Sequence, residues 1–234
     1  MPTIHSSLSS SSTRKPQLRR DQRVYVGSVF TRAPIYDAIF SQASPAGTIL
    51  LGRTCREARN ASRDFNRRAF NINRHLGRFF TDPKGFRSLQ ARTGTLISGS
   101  NALQFLDRTY YPGSDLDLFV HPGHSREIGL WLMHYEGYVF TPNTHMSQNG
   151  LPFEAVVPET WDGLAQRFHP GHDRNIHNDS SAYGIKCLES IYTFEKADEG
   201  GESRKVQIIA AKSTPLQCII SFHSSSCGRV FFCL

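Results

Sequence analysis

The 234-residue sequence contains no apolar run of about 18 residues or more, the length a membrane-spanning helix needs. It has few cysteines: Cys55, Cys187, Cys218, Cys227 and Cys233, an odd number with no Cys-x-x-Cys pair. That excludes a zinc ribbon and a secreted disulfide framework, and points to a reducing, intracellular compartment, cytoplasmic or nuclear. The N-terminus has no apolar core of a secretory signal. Acids are scarce in two stretches. Residues 1–23 hold Asp21 alone among many serines and arginines. Further on, Glu57 and Asp64 face Arg53, Arg56, Arg59, Arg63, Arg67, Arg68, Arg74 and Arg78.

What is present is an ordinary globular composition, 38% hydrophobic and 20% charged, long enough for one sizeable domain with a small appendage. The net charge of +7 and a pI near 9.3 favour polyanionic partners such as nucleic acid or nucleoside phosphates. The arginine-dense stretch reads either as a solvated helix face or as an electrostatic footprint for RNA, DNA or an acidic protein. No aromatic motif of the kind that reads RNA sequence is interleaved with it. Residues 1–23 read as a basic disordered tail, although an organellar transit peptide shares their composition.

Order is expected from about Val24. Pro34 opens a helix with Ile35, Ala38, Ile39 and Phe40 at helical spacing. A second helix is expected over Thr48 to Ser62, burying Ile49, Leu50, Cys55 and Ala58, and a third through Phe65, Phe70, Ile72 and Leu76. Phe86 to Ala91 adds one or two helical turns. The pattern then alternates. Thr95–Ile97 ends a strand, Gly99-Ser100 turns sharply, Asn101–Leu106 is helical and Leu116–Val120 is a strand. Arg126–Tyr138 is an amphipathic helix on Ile128, Trp131, Leu132 and Tyr135. Ser190–Glu195 and Lys205–Ala211 are strands joined by the hairpin loop Asp198–Glu202. Pro215 opens a short apolar helix through Ile219 and Phe222. Such alternation predicts an α/β or α+β arrangement.

The chemistry is concentrated in Leu96-Ile97-Ser98-Gly99-Ser100 and, fourteen residues on, Asp115-Leu116-Asp117-Leu118-Phe119-Val120. Alternate strand residues share a face, so Asp115 and Asp117 project together while Leu116 and Leu118 face a core. Two neighbouring carboxylates raise each other's affinity for protons unless a cation lies between them, and one or two magnesium ions are the natural cation. Small residues at Gly99 and Ser100 admit a phosphate to the backbone N–H groups that open the next helix. Two other readings of this segment stand beside that one. Asp-x-Asp also serves haloacid dehalogenase-type phosphatases and glycosyltransferases, where an apolar strand precedes the acids; here Tyr110-Tyr111-Pro112-Gly113-Ser114 precedes them. Pro-Gly-Ser-Asp is also a plain turn with a capping aspartate.

Together these residues resemble the signature of the DNA polymerase β-type nucleotidyltransferase superfamily: a Gly-Ser turn after a strand, a helix, then Asp-x-Asp opening the next strand. The resemblance covers Leu96 to Val120 and extends loosely to Ala211. It implies an α+β fold, a mixed sheet with flanking helices, preceded by a small helical segment. It also implies that Gly99, Ser100 and Ser114 contact the triphosphate of a nucleoside triphosphate, and that Asp115 and Asp117 hold Mg2+ as catalytic acids. The family's third carboxylate comes from a later strand, where this chain reads Lys205-Val206-Gln207-Ile208-Ile209. Gln207 takes the acid's place, with Glu195 and Glu154 as substitutes elsewhere. A neutral amide cannot act as a base. The resemblance therefore leaves two functions open, nucleotidyl transfer to a hydroxyl or a non-catalytic pseudo-transferase.

Residues 33–60 faintly resemble an F-box, with Ile35–Phe40 as one helix and Leu50-Leu51-Gly52-Arg53-Thr54-Cys55-Arg56-Glu57 as the next. This implies docking on a Skp-type adaptor; a small helical cap is the alternative. His169, His172, Asp173 and His177 lie in a histidine-rich loop that lacks an established zinc spacing. His121 and His124 follow the acidic strand, either facing a phosphate or in an exposed loop. The expected organisation is a tail over 1–23, a helical segment over 24–92, the transferase-like domain over 93–223, and an irregular end over 224–234. That last stretch is apolar and uncapped, as in a truncated chain.

Overall fold

A computed structural model describes residues 28–142, 150–157, 187–197 and 203–221. The chain divides into two compact units between Arg68 and Ala69. The first is helical: α1 (Ala33–Gln42), α2 (Pro45–Leu51) and α3 (Arg56–Ala69). α2 starts at Ser44, whose hydroxyl accepts the Gly47 N–H, with Pro45 fixing the first turn. The single helix expected over Thr48–Ser62 is two. It breaks at Gly52, where the Thr54 hydroxyl bonds the Leu51 carbonyl and the Cys55 sulfur accepts the Ala58 N–H to restart the chain as α3.

Burial in this unit also departs from the apolar count. Tyr36, Phe40, Ala58, Ala61 and Phe65 are buried, with Phe40 against Phe65, whereas Ile35, Ile49 and Leu50 are exposed. Ala38 is exposed as well. One polar clip ties α1 to α3. The Tyr36 hydroxyl donates to Asp64, and Arg68 bridges Asp64 and Asp37 with two edges of its guanidinium. The Tyr36 hydrogen bond holds the Asp64 carboxyl below its usual range, and Arg68 adds to the effect.

The second unit is α+β. It runs α4 (Ile72–Leu76), α5 (Pro83–Thr93), β1 (Leu96–Ser98), α6 (Gly99–Asp107), β2 (Leu116–Val120), α7 (Ser125–His134), β3 (Val139–Thr141), α8 (Phe153–Val156), β4 (Leu188–Ala197), β5 (Ser203–Ala211) and α9 (Pro215–Ile220). α4 and α5, which sequence groups with the N-terminal helices, belong to this unit. The helix expected through Phe65, Phe70 and Leu76 is interrupted at Asn71, whose side chain caps α4 by accepting the Arg74 N–H. α7 stops short of the expected Tyr138: Gly137 takes a left-handed φ of 72°, leaving Tyr135 exposed. Tyr138 turns inward, its hydroxyl donating to the Phe79 carbonyl.

The sheet order is β1-β2-β5-β4-β3. β2 and β5 are parallel and the other neighbours antiparallel. The hairpin loop expected at Asp198–Glu202 lies outside the described residues, but its flanks pair as Ala197 with Ser203. One face of the sheet carries Leu116, Leu118, Val120, Val206, Ile208, Tyr192 and Phe194, which join Phe80, Phe86, Leu89, Ile128, Leu132 and Phe153 in the main core. The other face carries Leu96, Phe119, Ile209 and Ala211, covered by Cys218 and Ile219 of α9. Glu136, almost fully buried, secures the entry to α5: its carboxylate accepts the N–H groups of Thr81 and Asp82 and the Thr81 hydroxyl. Among the described residues no helix is long and apolar enough to cross a membrane.

Candidate functional site

The strand register sets Asp117 and Gln207 side by side in one row across the sheet. Ser98 pairs with Asp117, Asp117 with Gln207, Gln207 with Thr193 and Thr193 with Thr141. Paired residues on neighbouring strands point to the same side of a sheet. A transverse row of hydrogen-bonding side chains therefore crosses all five strands, on the face that α9 covers further along. Inside it lies the apolar row Leu96, Phe119, Ile209 and Ile191. Outside it, Lys205 pairs with Glu195. Side-chain alternation assigns Asp117, Gln207 and Thr193 each to a face of its own strand; the β2–β5 and β4–β5 pairings align them.

Two features shape the centre of the row. Gly99 has φ 76°, a left-handed conformation that favours glycine. Any side chain there would also collide with the Asp117 carboxylate. The backbone that opens α6 thus lies directly against Asp117. Ser98 at the helix N-cap makes no side-chain capping bond, so the opening turn of α6 gets none from it. Asp117 itself is largely enclosed. Burial, and next the charge of Asp115, push its carboxyl up to about 7, while Lys205 pulls the other way. Asp115 is half-buried and ion-paired, with Lys205 Nζ 2.9 Å from its Oδ2.

Ser100 is exposed on the first turn of α6. Ser114 is placed by a residue with no motif of its own. Gln104, fully buried on α6, donates from Nε2 to Ser114 Oγ at 2.6 Å and accepts the Tyr111 N–H at 2.9 Å. Arg78 reaches the same amide oxygen at 3.5 Å and lies over the Tyr110 ring. Gln104 thereby pins the Tyr111–Ser114 turn, and with it the entry to β2, onto α6. Next to it His75 Nε2 lies 2.6 Å from Asn101 Oδ1. Burial drives the His75 pKa down to about 4, with Arg78 adding to the shift and the Asn101 bond opposing it. The only sequence signal for Gln104 is its place four residues after Ser100 of the Gly-Ser turn.

The substitute acids are not equivalent. Glu195 lies on the site face, one row beyond Gln207 and opposite Lys205. Glu154 is on α8, whose Phe153 packs on Tyr192 and Phe194 of the opposite face. His121 and His124 follow the far end of β2 from Asp117. His121 lies beside Gly94, and His124 Nδ1 is 3.5 Å from Glu127. They are not part of this row. The His169–His177 cluster lies outside the described residues.

Among the described residues no group of three or more His, Cys, Asp or Glu is placed to hold a metal ion. Magnesium is ordinarily held by one or two carboxylates together with substrate phosphates and water. Asp115 and Asp117 fit that use. The buried Asp117 carboxylate, disfavoured in its charged form, is the group a divalent cation would stabilise most. Comparison with protein families, curated proteins and solved structures finds no match.

Proposed function

We propose that the second unit is a nucleotidyltransferase-like nucleotide-binding core that holds a nucleoside triphosphate with Mg2+ and does not transfer its nucleotidyl group. Asp115 and Asp117 would hold the metal, which neutralises phosphate charge when bound. The opening turn of α6, at Gly99 and Ser100, would hydrogen-bond phosphate oxygens, with Ser114 beside them. The observation that carries the reading is the pairing of Asp117 with Gln207. The neutral amide is the strand neighbour of the buried acid, where transfer needs a carboxylate to take the proton of an attacking hydroxyl. Lys205, ion-paired with Asp115, would give up that carboxylate to the metal when nucleotide binds.

Calorimetry with ATP, with and without Mg2+, tests the binding half on the wild type and on Asp115→Asn/Asp117→Asn. The expected outcome is magnesium-dependent binding that the double variant loses. A folded wild type that binds nothing overturns the proposal. Labelled-nucleotide incorporation into hydroxyl acceptors tests the other half. Turnover by the wild type would return the chain to the active transferases.

A second reading, of the first unit, is favoured by the exposure of Ile35, Ile49 and Leu50 on its helices. Such a face suits a Skp-type adaptor, as the F-box resemblance implies. Failure of a purified Skp-type adaptor to bind, or binding unchanged by Ile49→Asp/Leu50→Asp, would remove it.

A further inference from the structure

The first unit carries a second polar feature that the nucleotide reading does not use. α3 buries Ala58, Ala61, Ser62 and Phe65. At 100° per residue these occupy one side of the helix; Arg56, Asn60, Arg63 and Arg67 lie opposite them, with Arg59 on the adjoining flank. All five are exposed, and the Arg67 side chain retains 82% of its accessible surface. The arginines follow at steps of three, four and four residues. They form a ridge about 16 Å long at the α-helical rise.

Asp37 is taken by Arg68, and Asp64 is shared among Tyr36, Arg68 and the ridge's own Arg67; Glu57, exposed on α3, is the remaining acid of residues 28–68. Among the described residues, no ion pair or hydrogen bond engages the Arg56, Arg59 or Arg63 side chains. Residues 28–68 contain no lysine; every cation is an arginine. A solvated face needs only charge, which lysine supplies equally well. A guanidinium instead offers paired N–H donors in a plane that matches a phosphate, with weaker hydration to lose.

We infer that the Arg56–Arg59–Arg63–Arg67 ridge is a docking surface for the phosphodiester backbone of a nucleic acid. The charge is complementary and the length is appropriate: one duplex strand presents a phosphate about every 3.4 Å of axis, so the ridge spans about four or five phosphates. The ridge contains no aromatic side chain and Asn60 is its sole uncharged polar member. Contact is therefore with the backbone rather than with bases, and affinity is independent of sequence.

Fluorescence anisotropy of labelled oligonucleotides, single-stranded and duplex, tests this with the full chain and Arg56→Gln/Arg59→Gln/Arg63→Gln. These positions are exposed, and circular dichroism checks that the helix survives. The expected result is a loss of affinity of at least tenfold at about 0.1 M salt. The dependence of log affinity on log salt should be shallower by about two. Arg32→Gln/Lys84→Gln/Arg92→Gln removes the same charge elsewhere and should lose much less. Equal losses in the two triple variants would reduce the effect to net charge and overturn the inference. So would an unchanged salt slope, or displacement of the oligonucleotide by poly-glutamate at equal charge. Asp115→Asn/Asp117→Asn should bind the oligonucleotide as the wild type does, which separates this surface from the nucleotide site.

Discussion

The two faces of the sheet are built from the same strands and differ in almost everything else. On one face Leu116, Leu118, Val120, Tyr192, Phe194, Val206, Ile208 and Ala210 join residues of the helices in one core. The other face is divided: Leu96, Phe119, Ile209 and Ala211 lie under α9, and beyond them run Ser98, Asp117, Gln207, Thr193 and Thr141. The difference teaches how a sheet can be stable and still present a chemical surface. One face supplies a continuous core, so the other can leave polar groups uncovered. Hydrophobic burial is roughly proportional to area, and the covered face holds most of it.

The contrast can be broken most severely from the covered face. Phe194→Ala, at a fully buried ring packed on Phe140 and Phe153, should cost about 3–5 kcal/mol in urea unfolding. On the divided face Ile209→Ala should cost about 2 kcal/mol, because the cluster beneath α9 is small. Equal costs would mean that the two faces contribute alike.

Acid gives a third measure, through His75. Its folded pKa is near 4, below the ordinary histidine value, so the unfolded chain takes up the proton first as pH falls. Stability is therefore full above about pH 6.5 and declines toward pH 4, by about 1 kcal/mol once solvent screening at this partly exposed group is allowed for. His75→Gln should flatten that part of the stability–pH curve; an unchanged curve would assign the loss to other groups.

Smaller effects are expected in the polar row. Asp117→Asn removes a buried charge beside Asp115 and should raise stability by about 1 kcal/mol while abolishing magnesium-dependent nucleotide binding. A destabilised Asp117→Asn would show that the carboxylate serves the fold. Thr193→Val should fall within about 0.5 kcal/mol in the same unfolding experiment.

Much of this arrangement was legible in sequence where one local rule governs. Leu116–Val120 is legible at its full extent, because alternation and the flanking turn agree. β4 and β5 were found within a few residues, and the Gly99-Ser100 turn was placed where α6 begins. The first unit was read less well. Thr48–Ser62 has continuous helical spacing, but a local competition at Gly52–Cys55 decides the break. Ile49 and Leu50 are apolar, and composition alone could not reveal that they lie outside the core. Within the site, Asp115 and Asp117 announced themselves by their spacing. Lys205 and Gln104 did not, because each acquires its role from a partner that only folding brings near: Asp115 for one, Ser114 and Tyr111 for the other.

The parallel join of β2 to β5 also has a kinetic meaning. β1 and β2 are close in sequence, as are β4 and β5, so each antiparallel pair closes a short loop. Leu116 and Val206 are about ninety positions apart, and their encounter carries the largest closure entropy of these three pairings. Contacts of that range form slowly and late. The Asp117–Gln207 pair lies on this seam, so the two halves of the polar row meet only when the two antiparallel pairs dock. A ribosome must deliver β5 before Asp117 has its neighbour, and a substitution that slows docking delays the site while leaving both pairs formed.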